Sequence, residues 1–163
     1  MSDVKATLLG KAAVLEVMPE HIAVKALGDL ITDAKFDRGE VTLTVAKENL
    51  VAALKAVKAA GYNAFQDMTA VDWFPSVPRF QLSYHVQSHS LKELLRVRVV
   101  VDEANAAIET ITHIWEGANY YEREVFDLFG IRFEGHPNLR RIMMPDEWVG
   151  HPLRKDYPVE GYR

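Results

Sequence analysis

Two copies of one short phrase hold the side chains most capable of chemistry. Gly135-His136-Pro137 leads through Asn138 to Leu139-Arg140-Arg141, and fifteen positions after His136, Gly150-His151-Pro152 leads into Leu153-Arg154-Lys155-Asp156. Two imidazoles raise the question of a metal. Zinc ligands, however, are usually paired at short spacing, and here each histidine sits in a rigid segment beside cations that repel a metal ion. Hydrogen bonding in an interface suits these histidines better. A residue before proline is biased away from helix, so each copy reads as a stiff, extended strap. It presents an imidazole, a leucine and two cations.

A second cluster is acidic. Glu122, Glu124 and Asp127 are close enough in sequence to raise acid–base catalysis, but Glu122 and Glu124 project to different helical faces and cannot form a facing pair. Arg123 and Asp127, four apart, are spaced to pair with one another. Serine, histidine and aspartate all occur without a nucleophile elbow. Gly130 to Gly135 matches neither a dinucleotide fingerprint nor a phosphate loop. The arginines with Trp148, Tyr157 and Tyr162 could contact phosphates and stack on bases. Against this, the final 33 residues carry six basic and five acidic side chains, and the isoelectric point is near 5.9. That is not the basic footprint of a nucleic-acid binder.

The elements that position these residues follow from periodicity. Val4, Leu8, Leu9, Ala12 and Leu15 have helical spacing up to Glu16. Asp37-Arg38-Gly39-Glu40 reads as a turn, and Val41, Leu43 and Val45 alternate with threonines, which predicts a hairpin. Leu50, Leu54 and Val57 mark a helix over about 47–60, with Gly61 where a left-handed cap belongs. Strands are predicted at Asp67–Trp73, Phe80–Val86 and Leu94–Val101, with Pro75 and Pro78 punctuating the first connection. Asn105–Trp115 is expected to contain a short helix. A second helix runs from Asn119, as N-cap, to Phe129, with Glu122 completing a capping box and Gly130 the stop. Ala118, Tyr121, Val125, Leu128 and Phe129 share one face of it. Glu122 projects there too, so it either serves as a cap or needs a cation. Beyond Ile131 no periodicity survives. The order argues for α+β: a mainly antiparallel sheet with helices packed on one face, followed by an extended C-terminal strap.

Bulk properties set the frame. A chain of 163 residues fits one domain that buries roughly 70% of its unfolded surface. The division expected within it is an α+β body over 1–130 and a partner-docking tail over 131–163. The absence of cysteine excludes disulfides, thiolate metal sites, cysteine-held clusters and thiol nucleophiles. The first residues lack the cationic start and apolar run of a signal peptide, and no stretch approaches the ~20 apolar residues of a membrane helix. A soluble, cytoplasmic chain is expected. Six of the ten arginines but one of the nine lysines follow position 120, as do four of the seven prolines. Arginine suits desolvated carboxylate contacts, so a solvated body followed by an interface segment is the reading.

The run Ala118-Asn-Tyr-Tyr-Glu-Arg-Glu-Val-Phe-Asp-Leu-Phe-Gly130, then the two Gly-His-Pro phrases, strongly resembles the C subunit of respiratory complex I, that is, the C-subunit family of NADH-quinone oxidoreductase. Met68-Thr-Ala-Val-Asp72 with Arg79-Phe-x-x-x-Tyr84-His is similar to its paired strands more loosely. The resemblance covers about 65–163 well. It implies a non-catalytic scaffold in the peripheral arm of a proton-translocating enzyme, on the cytoplasmic side of the bacterial inner membrane. Such a chain binds no flavin, iron–sulfur cluster or quinone; NAD, FMN, the clusters and quinone belong to the complex. Expected partners are the D, B and I subunits of complex I, with no nucleic acid and membrane contact only through the complex. Carried over by position, Glu122, Arg123, Glu124, Asp127, His136, Arg140, Arg141, His151, Arg154, Lys155 and Asp156 take interface and tail-anchoring roles. A related ferredoxin-linked complex or membrane-bound hydrogenase is the alternative, and a nucleic-acid-binding module a weaker one.

Overall fold

The computed structural model describes residues 7–161. Contacts divide the chain into two compact units, Met1–Gln66 with Tyr84–Val99 and Asp67–Ser83 with Val100–Arg163. Residues 131–161 therefore group with the helix that precedes them.

In the first unit, strand β1 (Leu8–Leu9) leads to helices α1 (Lys11–Val17) and α2 (Ile22–Leu27), strands β2 (Ile31–Asp37) and β3 (Glu40–Val45), and helix α3 (Leu50–Ala59). The predicted opening helix is corrected here. Its first residues lie outside those described, and Leu8 and Leu9 pair with Phe36 and Lys35 as an edge strand. Gly10, at φ 93°, separates that strand from α1. A glycine in this conformation cannot continue a helix, and the edge of β2 offers unpaired backbone groups. The hairpin forms as predicted. Arg38 and Gly39 both take positive φ (52° and 85°), which matches a tight turn to the twist of the strands. On α3, Leu50, Ala53, Leu54 and Val57 are fully buried, one helical stripe.

Strands β4 (Ala64–Asp72), β5 (Phe80–Ser88) and β6 (Glu93–Val101) contribute residues to each unit. The order is β1-β2-β3-β6-β5-β4. β2 runs antiparallel to β1 and β3, but β3 pairs with β6 in parallel, so the sheet is mixed.

The second unit continues with β7 (Ala107–Glu109), α4 (Ala118–Phe129) and β8 (Arg132–Glu134), then turns and bends to 161. Where Asn105–Trp115 was expected to hold a helix, the chain forms a short 3-10 turn and β7. The cause is tertiary: β8 pairs with β7 in parallel, Ile108 opposite Phe133. No pattern within 105–115 could announce that partner.

Candidate functional site

Helix α4 organises the second unit, and its N-terminal end differs from the capping-box expectation. The N-cap is Gly117 with no side-chain cap bond. Glu122 is fully buried and is used elsewhere: its carboxylate accepts the Thr110 hydroxyl at 2.5 Å and the Ile111 N–H at 2.7 Å. Burial pushes its carboxyl up to about 7, against the pull of those two donors. The nearest cation-capable group is the buried ring of His136, with Nε2 3.8 Å from the Glu122 carboxylate. Nδ1 of His136 accepts the Asn138 N–H at 3.0 Å, so the ring proton is on Nε2, facing the Asn119 carbonyl at 3.3 Å. Burial lowers this imidazole's pKa, disfavouring its charged form, against the pull of the Asn119 carbonyl.

The C-terminal end of α4 explains the second Gly-His-Pro phrase. A helix leaves its last four carbonyls without intrahelical donors. Here Phe126 O accepts the Gly130 N–H at 2.9 Å, Asp127 O accepts His151 Nδ1–H at 2.8 Å and Leu128 O accepts the Leu153 N–H at 3.0 Å. Phe129 O accepts Arg154 Nε–H at 2.6 Å. The phrase is the cap of a helix twenty residues upstream. Cations at this negative end of the helix dipole add favourable electrostatics. Gly130 is required twice over. Its φ is 76°, and a Cβ there would lie 2.6 Å from the His151 ring and 2.7 Å from the Arg154 guanidinium.

Asp127 ties down the intervening chain. It is fully buried, and its carboxylate accepts the N–H groups of Ile142, Met143 and Met144 at 3.0, 2.8 and 2.9 Å. It also binds Arg141, whose Nη2 reaches the carbonyls of Trp148 and Gly150 at 2.9 and 3.0 Å. The predicted Arg123–Asp127 pair is not made; Arg123 donates to the carbonyls of Arg140 and Arg141, both at 3.2 Å. Burial would raise the Asp127 carboxyl, but the amides of Met144 and Ile142, Arg141 and the Met143 amide together hold it below the ordinary range.

A third anchor lies at the end of the tail. Arg79, buried at the start of β5, grips buried Asp72 at the end of β4 through Nε and Nη2 (2.9 and 2.8 Å). It also reaches Glu103 at 2.6 Å and Asp156 at 2.5 Å. Asp72 accepts the Lys155 and Phe74 N–H groups too, at 2.8 and 2.9 Å. Burial alone would raise the Asp72 carboxyl; Arg79 and the two amides outweigh it and hold it at about 2. Arg154 stacks over Phe80, 5.3 Å from its centroid, and lies 3.6 Å from Glu103.

The eleven residues singled out in the sequence thus fall into two sets. Glu122, Asp127, His136, Arg141, His151, Arg154 and Asp156 are engaged within the unit, and Arg123 is half-buried on backbone carbonyls. Glu124, Arg140 and Lys155 are exposed. The segment also turns large apolar side chains outward: Ile142, Met143, Trp148, Val149 and Leu153 are exposed, as are Asp146 and Glu147 between them. Asp72, Arg79, Glu103 and Thr110 are the functional partners that sequence reasoning missed. One signal was available: an acid closing one strand and an arginine opening the next are placed as cross-strand neighbours.

A family profile described as "Respiratory-chain NADH dehydrogenase, 30 Kd subunit" matches residues 43–163. The C subunit of NADH-quinone oxidoreductase from Citrifermentans bemidjiense is 46% identical over 144 residues, 85% of this chain and 89% of that one. That of Geotalea uraniireducens is 49% identical over 132 residues, 80% of each. Among solved structures, the trypsin-resistant fragment (1–134) of Nqo5 aligns with TM-score 0.64 and 31% identity, over 77% of this chain and 98% of that one. A chain of the membrane-bound sulfane sulfur reductase, an archaeal respiratory membrane complex, aligns with TM-score 0.71 and 25% identity over 86% of each.

Proposed function

The chain belongs to the family of the 30 kDa subunit of respiratory-chain NADH dehydrogenase, and on that premise we propose that it is a non-catalytic scaffold whose C-terminal segment docks neighbouring subunits. Its relatives are C subunits of NADH-quinone oxidoreductase, so the chain is a peripheral-arm subunit of a complex that oxidises NADH with quinone. A place in a ferredoxin-linked complex or a hydrogenase, and a nucleic-acid module, are not favoured by those relatives. Among the described residues no helix is long and apolar enough to cross a membrane. In our reading the chain sits on the cytoplasmic side of the bacterial inner membrane, against the D, B and I subunits. NAD, FMN, iron–sulfur clusters and quinone are held by other chains.

One observation carries the docking assignment. Arg141, His151, Arg154 and Asp156 are spent on fixing the segment's own shape, while Ile142, Met143, Trp148, Val149 and Leu153 face outward. Apolar surface held out on a rigid frame gains by being covered, and aromatic anchors dominate such contacts. Arg140, Asp146, Glu147 and Lys155 are the exposed charged residues of the same segment. The Nqo5 structure, described as a trypsin-resistant fragment, points the same way: in that relative a folded body is separable by trypsin. The test is co-expression of the full chain with the D and B subunits, followed by size exclusion. Trp148→Ala with Leu153→Ala is expected to lower recovery in the complex at least tenfold while the purified chain keeps its thermal midpoint. Recovery at the wild-type level would overturn the assignment.

A further inference from the structure

The first unit carries a cation that no carboxylate among the described residues neutralises at contact distance. Along β6, Leu95, Val97 and Val99 are buried, and Arg96 and Arg98 project from the opposite face. Two cross-strand rows cover that face. One runs Lys35, Thr42, Arg96 and the other Asp33, Thr44, Arg98. The first row is neutralised: Lys35 pairs with Asp37 at 2.9 Å and Arg96 with Glu40 at 3.0 Å, and Arg96 also donates to His85 Nε2 at 2.7 Å. The second row is not. Nε of Arg98 is buried, and among the described residues it finds no acceptor. Asp33 stands two strands away, roughly 9–10 Å by strand spacing, and acts only at a distance. Burial and the adjacent Arg96 both lower the Arg98 pKa, with Asp33 opposing them.

A part-buried guanidinium without a carboxylate destabilises the isolated chain. A carboxylate from outside, meeting the guanidinium, would supply the missing charge. We propose that Arg98 and the adjoining row of Thr44 receive an aspartate or glutamate side chain from a neighbouring polypeptide of the complex, a docking point separate from the C-terminal segment. The occupant is a polypeptide with an isolated carboxylate, because the row holds one cation unpaired among the described residues and Asp33, at the other end of the same row, disfavours a polyanion. A shallow concavity lined by Lys35, Asp37, Arg38, Glu40, Thr42 and Arg96 lies on the same face. It offers both signs of charge to residues flanking that carboxylate. The inference rests on the reading of the chain as a subunit.

The experiment uses the assembled complex with a photo-crosslinking residue at Thr44, and in parallel the variants Arg98→Glu, Arg98→Met and Trp148→Ala with Leu153→Ala. The crosslink is expected on another polypeptide of the complex, within two residues of an aspartate or glutamate. Arg98→Glu should lower incorporation at least tenfold. Arg98→Met should lower it about fivefold, yet raise the thermal midpoint of the purified chain by roughly 2–4 °C. A crosslink to a second copy of this chain, no crosslink at all, or a lowered midpoint for Arg98→Met would each overturn the proposal. If Arg98→Glu assembles normally while the tail variant does not, this inference alone falls. If neither variant affects assembly, the docking reading of the tail falls with it.

Discussion

Replacing Asp127 with asparagine should release the segment after β8 without unfolding the unit that carries it. The carboxylate accepts three backbone N–H groups and the Arg141 guanidinium in a fully buried position. Hydrogen bonds to a charged partner are each worth about 1.5–3 kcal/mol. Asparagine keeps one carbonyl oxygen, so part of the amide bonding survives. Its amide nitrogen then faces either Arg141 or the amides of 142–144, donor against donor. The net loss comes to about 2–4 kcal/mol, a change of roughly 30- to 800-fold in the opening equilibrium of the segment. Hydrogen exchange reads this directly. Protection at Ile142, Met143 and Met144 should fall by that factor, while buried strand amides in β5 change by less than about threefold. Trypsin should also cut faster at Arg140, Arg141, Arg154 and Lys155. Exchange at 142–144 within about threefold of wild type would refute the anchoring argument, and an equal loss through β5 would refute its local character. In the wild-type chain the same bond sets a pH limit. A carboxyl whose folded pKa is depressed stabilises the fold above its unfolded value of ~3.9 and loses that contribution as pH falls through the folded value. Protection at 142–144 should be flat above about pH 5 and collapse in acid.

Three further outcomes follow from the other anchors. Glu122, raised to about 7 by burial, binds its proton more tightly folded than unfolded. It therefore withdraws stability as pH rises from about 4.5 to 7, on the order of 3 kcal/mol in total. His136, lowered by burial, has the opposite slope below ~6.5. Glu122→Gln should abolish the decline from Glu122 in denaturant midpoints between about pH 5 and 7, and an unchanged decline would contradict this. Gly130→Ala should cost at least about 2 kcal/mol, against about 1 for Gly39→Ala. Both have positive φ, but only Gly130 would drive a Cβ into the His151 ring; equal losses by chemical denaturation would remove the packing argument. Arg79→Met strands buried Asp72 and should cost about 3–5 kcal/mol. Arg79→Lys should recover less than half of that, because a lysine cannot reproduce the two-pronged grip. Thermal midpoints of the pair decide it.

The periodic elements were legible in the chain. The hairpin at Asp37–Glu40, the α3 stripe, the cores of β4, β5 and β6, and the stop at Gly130 all rest on local patterns, and local sequence governs them. Three features were not legible, each because its cause lies far away in the chain. Leu8 and Leu9 have helical spacing, yet the free edge of β2 recruits them. Ala107–Glu109 is a strand only because Arg132–Glu134 lies beside it. Glu122 sits three residues after a plausible cap, but Thr110 and Ile111 claim its carboxylate first. Glu122, Glu124, Asp127, His136, His151 and Asp156 stand out in the sequence through the motif that carries the family resemblance. Their bonding partners do not, since a carboxylate's donors include backbone N–H groups that carry no side-chain signature.

The internal wiring of the segment changes what a docking experiment should report. An extended strap that orders only on binding would lose affinity with every anchor removed. A segment already held by Asp127, Arg141, His151 and Arg154 behaves differently, because apparent affinity scales with the fraction of chains in the competent state. Suppose the closed segment is favoured by about 3 kcal/mol; roughly 99% is then competent. Weakening it by about 2 kcal/mol still leaves about 85% closed, and affinity for the docking partner falls by less than about a factor of two. Weakening it by about 4 kcal/mol leaves about 15% closed and costs about sevenfold. Inward-facing variants should therefore show a threshold: large effects on exchange at 142–144 with little change in docking until the closed state is lost. Outward variants such as Trp148→Ala should show the reverse, full protection with weakened docking. Measuring both quantities across the two sets separates frame from contact surface. A proportional loss of docking with each inward substitution would mean that the segment orders on its partner after all.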